Sequence, residues 1–583
     1  MSSRTFGRIT AAVIITAATL VGGLYGRQAF SQTSSVVAES GAAQLETSYK
    51  EALSVIADNY VEEVDYEKAN EAALQGMLWT LDPHSNFFSA AEYARLLQDQ
   101  ESRFTGIGVS ILRHRDGVYV QTPIEGTPAA KAGLRFGDRI VEVDGKDARD
   151  WTTQAVSKAV RGPEGEPVTI KIERAGSQAP LFFTIKRGSV PQPSIRLAFM
   201  LRPGVGYVGL TGGFTHTTSD ELAQALENLS GQGMQQLVLD LRNNPGGLLD
   251  QAIKVASHFV PRGKPVVSVR SRDEENNREY KNVFYDPVNY PLVVLTNGNS
   301  ASASEIVAGA IQDHGRGLIV GETTFGKGLV QRIFNLPYGA GLTLTTAKYY
   351  TPYGRLIQRS YAGGSLYDYY THHTEADLAP RQPANPNVPS ASPNAPGNPS
   401  TPPSAPKSPT PQPTPAPTPS GPAIKTAGGR VFYGGGGITP DYEVKPLEVG
   451  SPARARIYEE AFYFTRQLAG GQVVGLESYR VNAEPQFGRA ARPTDFPITD
   501  KVVQAFRDFV KRDPEAGLTQ AQVDRDVEYV KLRIRENLVN VAYGGDAATR
   551  FLLEGDPQTI RALELFPEAK ALAENIGRSR DSE

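Results

Sequence analysis

A hydroxyl and an amine stand at two points where a strand-like run gives way to a turn, and together they could cleave an acyl bond. Ser302 lies in Asn297-Gly-Asn-Ser-Ala-Ser-Ala-Ser-Glu305, between the apolar run Pro291-Leu-Val-Val-Leu-Thr296 and a helical pattern over 306–311. Strand, small-residue turn and helix in that order expose a side chain at a helix N-terminus. Lys327 lies in Gly321-Glu-Thr-Thr-Phe-Gly-Lys-Gly328, directly after the run Gly317-Leu-Ile-Val320. Two strand ends of one sheet would bring the groups together. A serine hydroxyl needs a base to take its proton, and a lysine serves only when neutral. Its ordinary pKa near ~10.4 must fall by roughly 3 units, about 4 kcal/mol of environmental bias. Phe325 and Val330 supply apolar surroundings, and the Gln331 amide, four residues on, can orient the amine. The spacing alone leaves Ser300, Ser302 and Ser304 all open as nucleophile.

Acyl transfer also needs donors for the developing oxyanion. The Ala303 N–H, next to the serine, is one candidate. The loop Asp240-Leu-Arg-Asn-Asn-Pro-Gly-Gly247 is the other, because Gly246 and Gly247 let backbone approach a substrate closely. The plain alternative is a helix-capping serine and a surface lysine.

Other chemistries fare worse. Gly321 to Lys327 matches the spacing of a phosphate-binding loop, but Gly328 stands where a magnesium-binding hydroxyl belongs, and a strand follows instead of a helix. The histidines (His84, His114, His216, His258, His314, His372 and His373) form no Ser-His-Asp constellation, although Asp313 and His314 lie one helix from Ser302. His372-His373 beside Glu375 and Asp377 reads as a solvated cluster, so no metal and no cofactor is expected. Cysteine is absent, which excludes thiol catalysis, cysteine-bound zinc and disulfides. A net charge of -3 gives no basic surplus for nucleic acid.

The elements that must position these groups divide the 583 residues into several domains. Arg4 and Arg8 precede an uncharged run over 9–26, so residues 1–31 read as an export signal, cleaved or kept as a membrane anchor, with the rest outside the cytoplasm. Residues 40–102 read as helical, interrupted at Asp82-Pro-His-Ser85. Residues 103–190 read as a small β-module with a helix near 153–160. From 195 to 360 strands alternate with helices, which argues for a largely parallel sheet covered by helices. Residues 361–429 are dominated by a proline-rich insert, an extended spacer with no apolar face to bury. Residues 450–583 read as amphipathic and mostly helical, with no motif that carries chemistry.

At these residues the chain resembles the carboxyl-terminal processing (tail-specific) serine proteases. The matching segments are Gly106-Ile-Gly-Val109, Pro128 to Asp138, Asp240 to Gly247, Ser300 to Glu305, and Thr324-Phe-Gly-Lys-Gly328 with Gln331; Thr351-Pro-Tyr-Gly-Arg355 and Gly437-Ile-Thr-Pro-Asp441 also fit. The resemblance implies a PDZ β-domain placed before a crotonase-like α/β protease core, the latter completed by 430–447, with helical regions at both ends. It aligns Ser302 with the nucleophile, Lys327 with the general base and Gln331 with the lysine-orienting group. Ala303, Gly246 and Gly247 become the oxyanion hole. Gly106, Ile107, Gly108 and Val109 match the carboxylate-binding loop, and Arg161 the arginine that signals to the catalytic lysine or glutamine. Departures are the long insert between the segments ending at Arg355 and beginning at Gly437, and the extended C-terminal block. The implied function is a serine endopeptidase that binds apolar protein C-termini, with an activating adaptor and self-association as implied partners. A non-catalytic PDZ scaffold of the cell envelope is the alternative, and an acyl-CoA enzyme on the same core fold a third idea.

Overall fold

The computed structural model describes residues 43–98, 100–361, 421–426, 429–447 and 451–580. The apolar run over 9–26, the pair His372-His373 and most of the proline-rich insert lie outside the described residues. The chain divides into two compact units, Met1–Thr80 and Leu81–Glu583. The first unit holds a helix over 43–59 and the helix Tyr66–Trp79, which Asp65 caps by accepting the Lys68 N–H at 3.1 Å. No helix among the described residues is long and apolar enough to cross a membrane.

At the start of the second unit the structure departs from a purely helical reading. The Asp82 carboxylate accepts the N–H groups of His84 (2.7 Å) and Ser85 (2.9 Å) and the Ser85 hydroxyl (2.7 Å), an aspartate turn that outcompetes helix. The following three residues, Asn86–Phe88, become a strand paired antiparallel with Gly341–Thr343. The helix Ala90–Gln98 follows.

The β-module carries a path of five strands in the order Val109–His114, Gly117–Pro123, Arg139–Val143, Pro167–Glu173, Leu181–Lys186, with Val109–His114 at one edge. Val168, Ile170 and Ile172 alternate inward, as a half-buried strand requires. The helix Thr153–Val160 packs Val156 and Val160 into this core.

The central sheet runs Ile195–Arg202, Val205–Leu210, Gln236–Asp240, Leu292–Thr296, Leu318–Gly321, Tyr442–Glu443; the first pair is antiparallel and every later pair parallel. Both faces are apolar, so both must be covered. Leu237, Leu239, Leu292, Val294 and Ile319 pack against the helices Thr218–Gly231, Leu249–Ser257 and Ala303–Asp313. The alternate residues Tyr207, Val238, Val293, Leu295, Leu318 and Val320 pack instead against Leu553, Ala562, Leu565 and Phe566, from helices of the C-terminal block. That block, which carries no motif for chemistry, supplies the second helical layer. It has its own core around Ile457, Phe464, Phe506, Val530 and Ile534. Its helix Pro452–Ala469 also grips the β-module: the Phe462 ring stacks on His114 at 3.8 Å, Arg466 donates to the Gly137 carbonyl at 2.6 Å, and buried Glu460 accepts from Arg115 at 2.6 Å.

Candidate active site

The parallel strand Leu292–Thr296 ends in a turn whose three serines have different fates. Ser300 is fully buried, donating to the Leu241 carbonyl at 2.8 Å and accepting the Asn297 N–H at 3.0 Å. Ser304 is equally buried and donates to the Asn244 carbonyl at 3.1 Å. Ser302 alone of the three is partly exposed. It occupies the N-cap of Ala303–Asp313 with φ 56° and ψ -111°, a backbone conformation that costs a non-glycine residue about 1–3 kcal/mol. Such a turn lifts the hydroxyl clear of the sheet.

One carboxylate holds this turn and the lysine loop together. Glu305 is fully buried; its Oε2 accepts the N–H groups of Ser302 and Lys327, each at 2.8 Å. Its Oε1 accepts the Gly326 N–H at 2.7 Å and the Thr324 hydroxyl. The Thr324 proton must point at Glu305, because Thr324 already accepts the Ile438 N–H at 2.7 Å. Four donors on two oxygens favour the ionised form, while burial, the largest influence, holds the Glu305 carboxyl above its usual value in spite of them. Sequence reasoning passed over Glu305, yet the S-x-x-E spacing of a capping box was there to be seen.

Lys327 follows, partly buried, with its backbone on Glu305. Burial lowers its amine below the ordinary lysine value, while Glu305 and Asp82 oppose that shift. Among the described residues the amine makes no hydrogen bond or ion pair, and none joins it to Ser302 or Gln331. Gln331 sits on the strand Leu329–Asn335 and donates its amide to the His84 carbonyl. Burial, the main cause, pushes the His84 imidazole down to about 3, so it stays neutral. The segment Asp82–Ser85, read in the sequence as a break between helices, thus borders the lysine.

The glycine loop lies against the serine. A Cβ on Gly246 would fall 2.7 Å from the Ser302 Cβ and 3.0 Å from the Ala303 nitrogen, so only glycine fits. The Gly246 N–H donates to Asn244 Oδ1 at 2.9 Å, and Asn244 also donates to the Leu210 carbonyl at 2.7 Å. The N–H groups of Gly247 and Ala303 have no partner among the described residues.

In the β-module the Ile107 carbonyl accepts the Ala129 N–H at 2.7 Å, and Gly108 adopts φ +78° against Thr127, where any Cβ would collide at 2.4 Å. The next residues, Val109–His114, form the edge strand, whose outer side pairs with no strand among the described residues. Arg161, at the C-terminal end of Thr153–Val160, lays its guanidinium over the Phe104 ring at 4.4 Å, and no hydrogen bond or ion pair links it to Lys327 or Gln331. Of the remaining histidines, His314 bonds the Pro265 carbonyl at 2.7 Å, and its neighbour Asp313 binds buried Arg355 at 2.6 Å, so both are structural.

These segments coincide with known families. The model for peptidase family S41 matches residues 204–369, that for a PDZ domain matches 119–174, and that for the N-terminal domain of the activating protease CtpB matches 19–91. A carboxy-terminal-processing protease of Bartonella bacilliformis is 40% identical over 304 residues, 51% of this chain and 69% of the relative. The chain belongs to the carboxy-terminal-processing proteases of peptidase family S41. Within that family, the carboxy-terminal processing protease CtpB of Bacillus subtilis is 34% identical over 313 residues, 53% of this chain and 65% of the relative. The solved photosystem II D1 C-terminal processing protease shares 34% identity, covering 53% of this chain and 83% of that one, with a TM-score of 0.32.

Proposed function

We propose that this chain is an exported serine endopeptidase that binds protein C-termini through its PDZ domain and cleaves by a Ser302–Lys327 mechanism on a crotonase-like core. The observation that carries this reading is the Glu305 carboxylate, which ties the backbone of the one partly exposed serine of the turn to the backbone of a desolvated lysine. Neutral Lys327 takes the Ser302 proton as Oγ attacks the scissile carbonyl. The N–H groups of Ala303 and Gly247 receive the oxyanion, while Gly246 makes room beside the serine. Lys327 then returns the proton to the leaving amine, giving an acyl-serine ester that water hydrolyses with the same amine as base. Gln331, whose amide nitrogen is spent on His84, retains Oε1 as the acceptor that orients the lysine. No step needs a metal or a cofactor.

A substrate tail adds as a strand to Val109–His114, its carboxylate captured at the Gly106–Val109 turn, with Arg161 alongside. Residues 1–31 direct export to the periplasm or the outer face of the inner membrane, and an adaptor or a second copy completes the working assembly. An unfolded reporter with an apolar C-terminus tests the reading. Turnover should persist in chelator and vanish in Ser302→Ala and Lys327→Ala. Tail binding by the wild type without any turnover would instead return the scaffold.

A further inference from the structure

Arg242 lies in the loop Asp240–Gly247, two residues before the asparagine that fixes Gly246. Its Nε donates to both Asp240 oxygens at 3.0 Å, so Asp240 holds one side of the guanidinium. The other side is held from far along the chain: Nη1 donates to the Asp556 carboxylate and to Gln558 Oε1, the latter at 2.8 Å. Gln558 is completely buried, and its Nε2 is fixed on the Val444 carbonyl at 2.8 Å. Asp556 caps the helix Pro557–Glu564 and accepts the Thr559 hydroxyl at 2.8 Å. Both residues therefore present their oxygens to Arg242 from a rigid mount. None of the three matched family models reaches this segment.

The Asp240–Gly247 loop is thus clamped between two supports. On one side Gly246 abuts Ser302, and Asn244 accepts the Ala301 N–H at 3.0 Å and the Ser304 hydroxyl at 3.1 Å. On the other, Arg242 is anchored to the C-terminal block. We propose that Asp556 and Gln558 are positioning residues for peptide-bond cleavage, acting through Arg242 to hold the Gly247 N–H where the oxyanion forms. The proposal rests on the peptidase reading above and extends it to a region with no chemistry of its own. Small misplacements of oxyanion donors reduce the chemical step more than binding.

Asp556→Asn separates the two tasks of that side chain, because asparagine caps a helix as well as aspartate does but carries no charge for Arg242. The full chain is compared with this variant, with Arg242→Met, with the double variant, and with Arg561→Ala as a control on the same helix. Asp556→Asn should lower kcat about tenfold with KM within about twofold and Tm unchanged, while Arg561→Ala keeps wild-type kcat. Arg242→Met should lower kcat further, and adding Asp556→Asn to it should change nothing, since the aspartate acts only through the arginine. Amide exchange at Gly246 should quicken in Asp556→Asn. Unchanged kcat, a change confined to KM, full additivity in the double variant, or unchanged exchange at Gly246 each overturns the proposal. If the wild type cleaves no reporter, the peptidase reading fails, and the exchange measurement alone decides whether Asp556 holds the loop.

Discussion

The two faces of the central sheet are both covered, but by very different parts of the chain. One face receives helices 218–231, 249–257 and 303–313, each inserted between the strands it covers, and Ser302 is the N-cap of the third. The other face receives Leu553, Ala562, Leu565 and Phe566 from beyond the insert. The first face carries Ser302; the second carries none of the groups proposed to react and supplies Asp556 and Gln558. The strand end that leads into the proposed nucleophile therefore depends on packing supplied more than two hundred residues later. The second layer is as necessary to the sheet as the first, because alternate residues of every buried strand point at it.

The largest effects should fall on the first face. Ser302→Ala and Lys327→Ala should each lower kcat/KM by about 10⁴-fold or more while leaving Tm in place, as for groups that act as a unit. Loss of activity together with loss of fold would erase the distinction between the faces. On the second face the order reverses: Phe566→Ala should cost about 3–5 kcal/mol in a denaturant titration through its buried cavity, with reporter cleavage retained below the midpoint. A Phe566→Ala protein as stable as wild type would show that the C-terminal layer is dispensable.

Glu305→Gln sits between the two. A glutamine has one acceptor oxygen, so its amide would face two of the four donors now satisfied, costing about 1–3 kcal/mol. It should also slow turnover by separating the Ser302 turn from the lysine loop, measured as a fall in kcat beside a lowered Tm; a rise in kcat would contradict the tie. The smallest effect concerns pH. A lysine whose folded value is depressed binds its proton more weakly than in the unfolded chain, so stability rises with pH between the lowered value and the ordinary lysine value near ~10.4. Lys327→Met removes that cost: its Tm should equal or exceed wild type at neutral pH, with the gap closing as pH rises. A Tm clearly below wild type would mean that the Glu305 and Asp82 attractions outweigh burial.

Much of the first face was legible in the sequence because its order is local. The apolar run over 291–296, the small-residue turn and the helical pattern after it lie within thirty residues of one another, and periodicity reads such contacts directly. The serines were not separable that way, since their difference lies in what reaches them from elsewhere: the Leu241 carbonyl for Ser300 and the Asn244 carbonyl for Ser304. Glu305 hid in plain view as a helix-capping glutamate. The strand Asn86–Phe88 was obscured by the helices on both sides, because Asp82 sets it by a turn and its ladder partner lies at 341–343. The C-terminal block was opaque for a related reason. Its amphipathic pattern announces helices with an apolar face but never names the surface that face will meet.

The proposed mechanism requires a Lys327 amine that is neutral at working pH and takes the serine proton. Isotope labelling of the lysine side chains, with Lys327 assigned by comparison with Lys327→Met, gives its titration directly in the intact protein. The account predicts a midpoint well below the ordinary lysine value of ~10.4, matching the rising limb of kcat/KM against pH. A Lys327 amine that titrates at the ordinary value, while the enzyme cleaves at full rate at neutral pH, would contradict it.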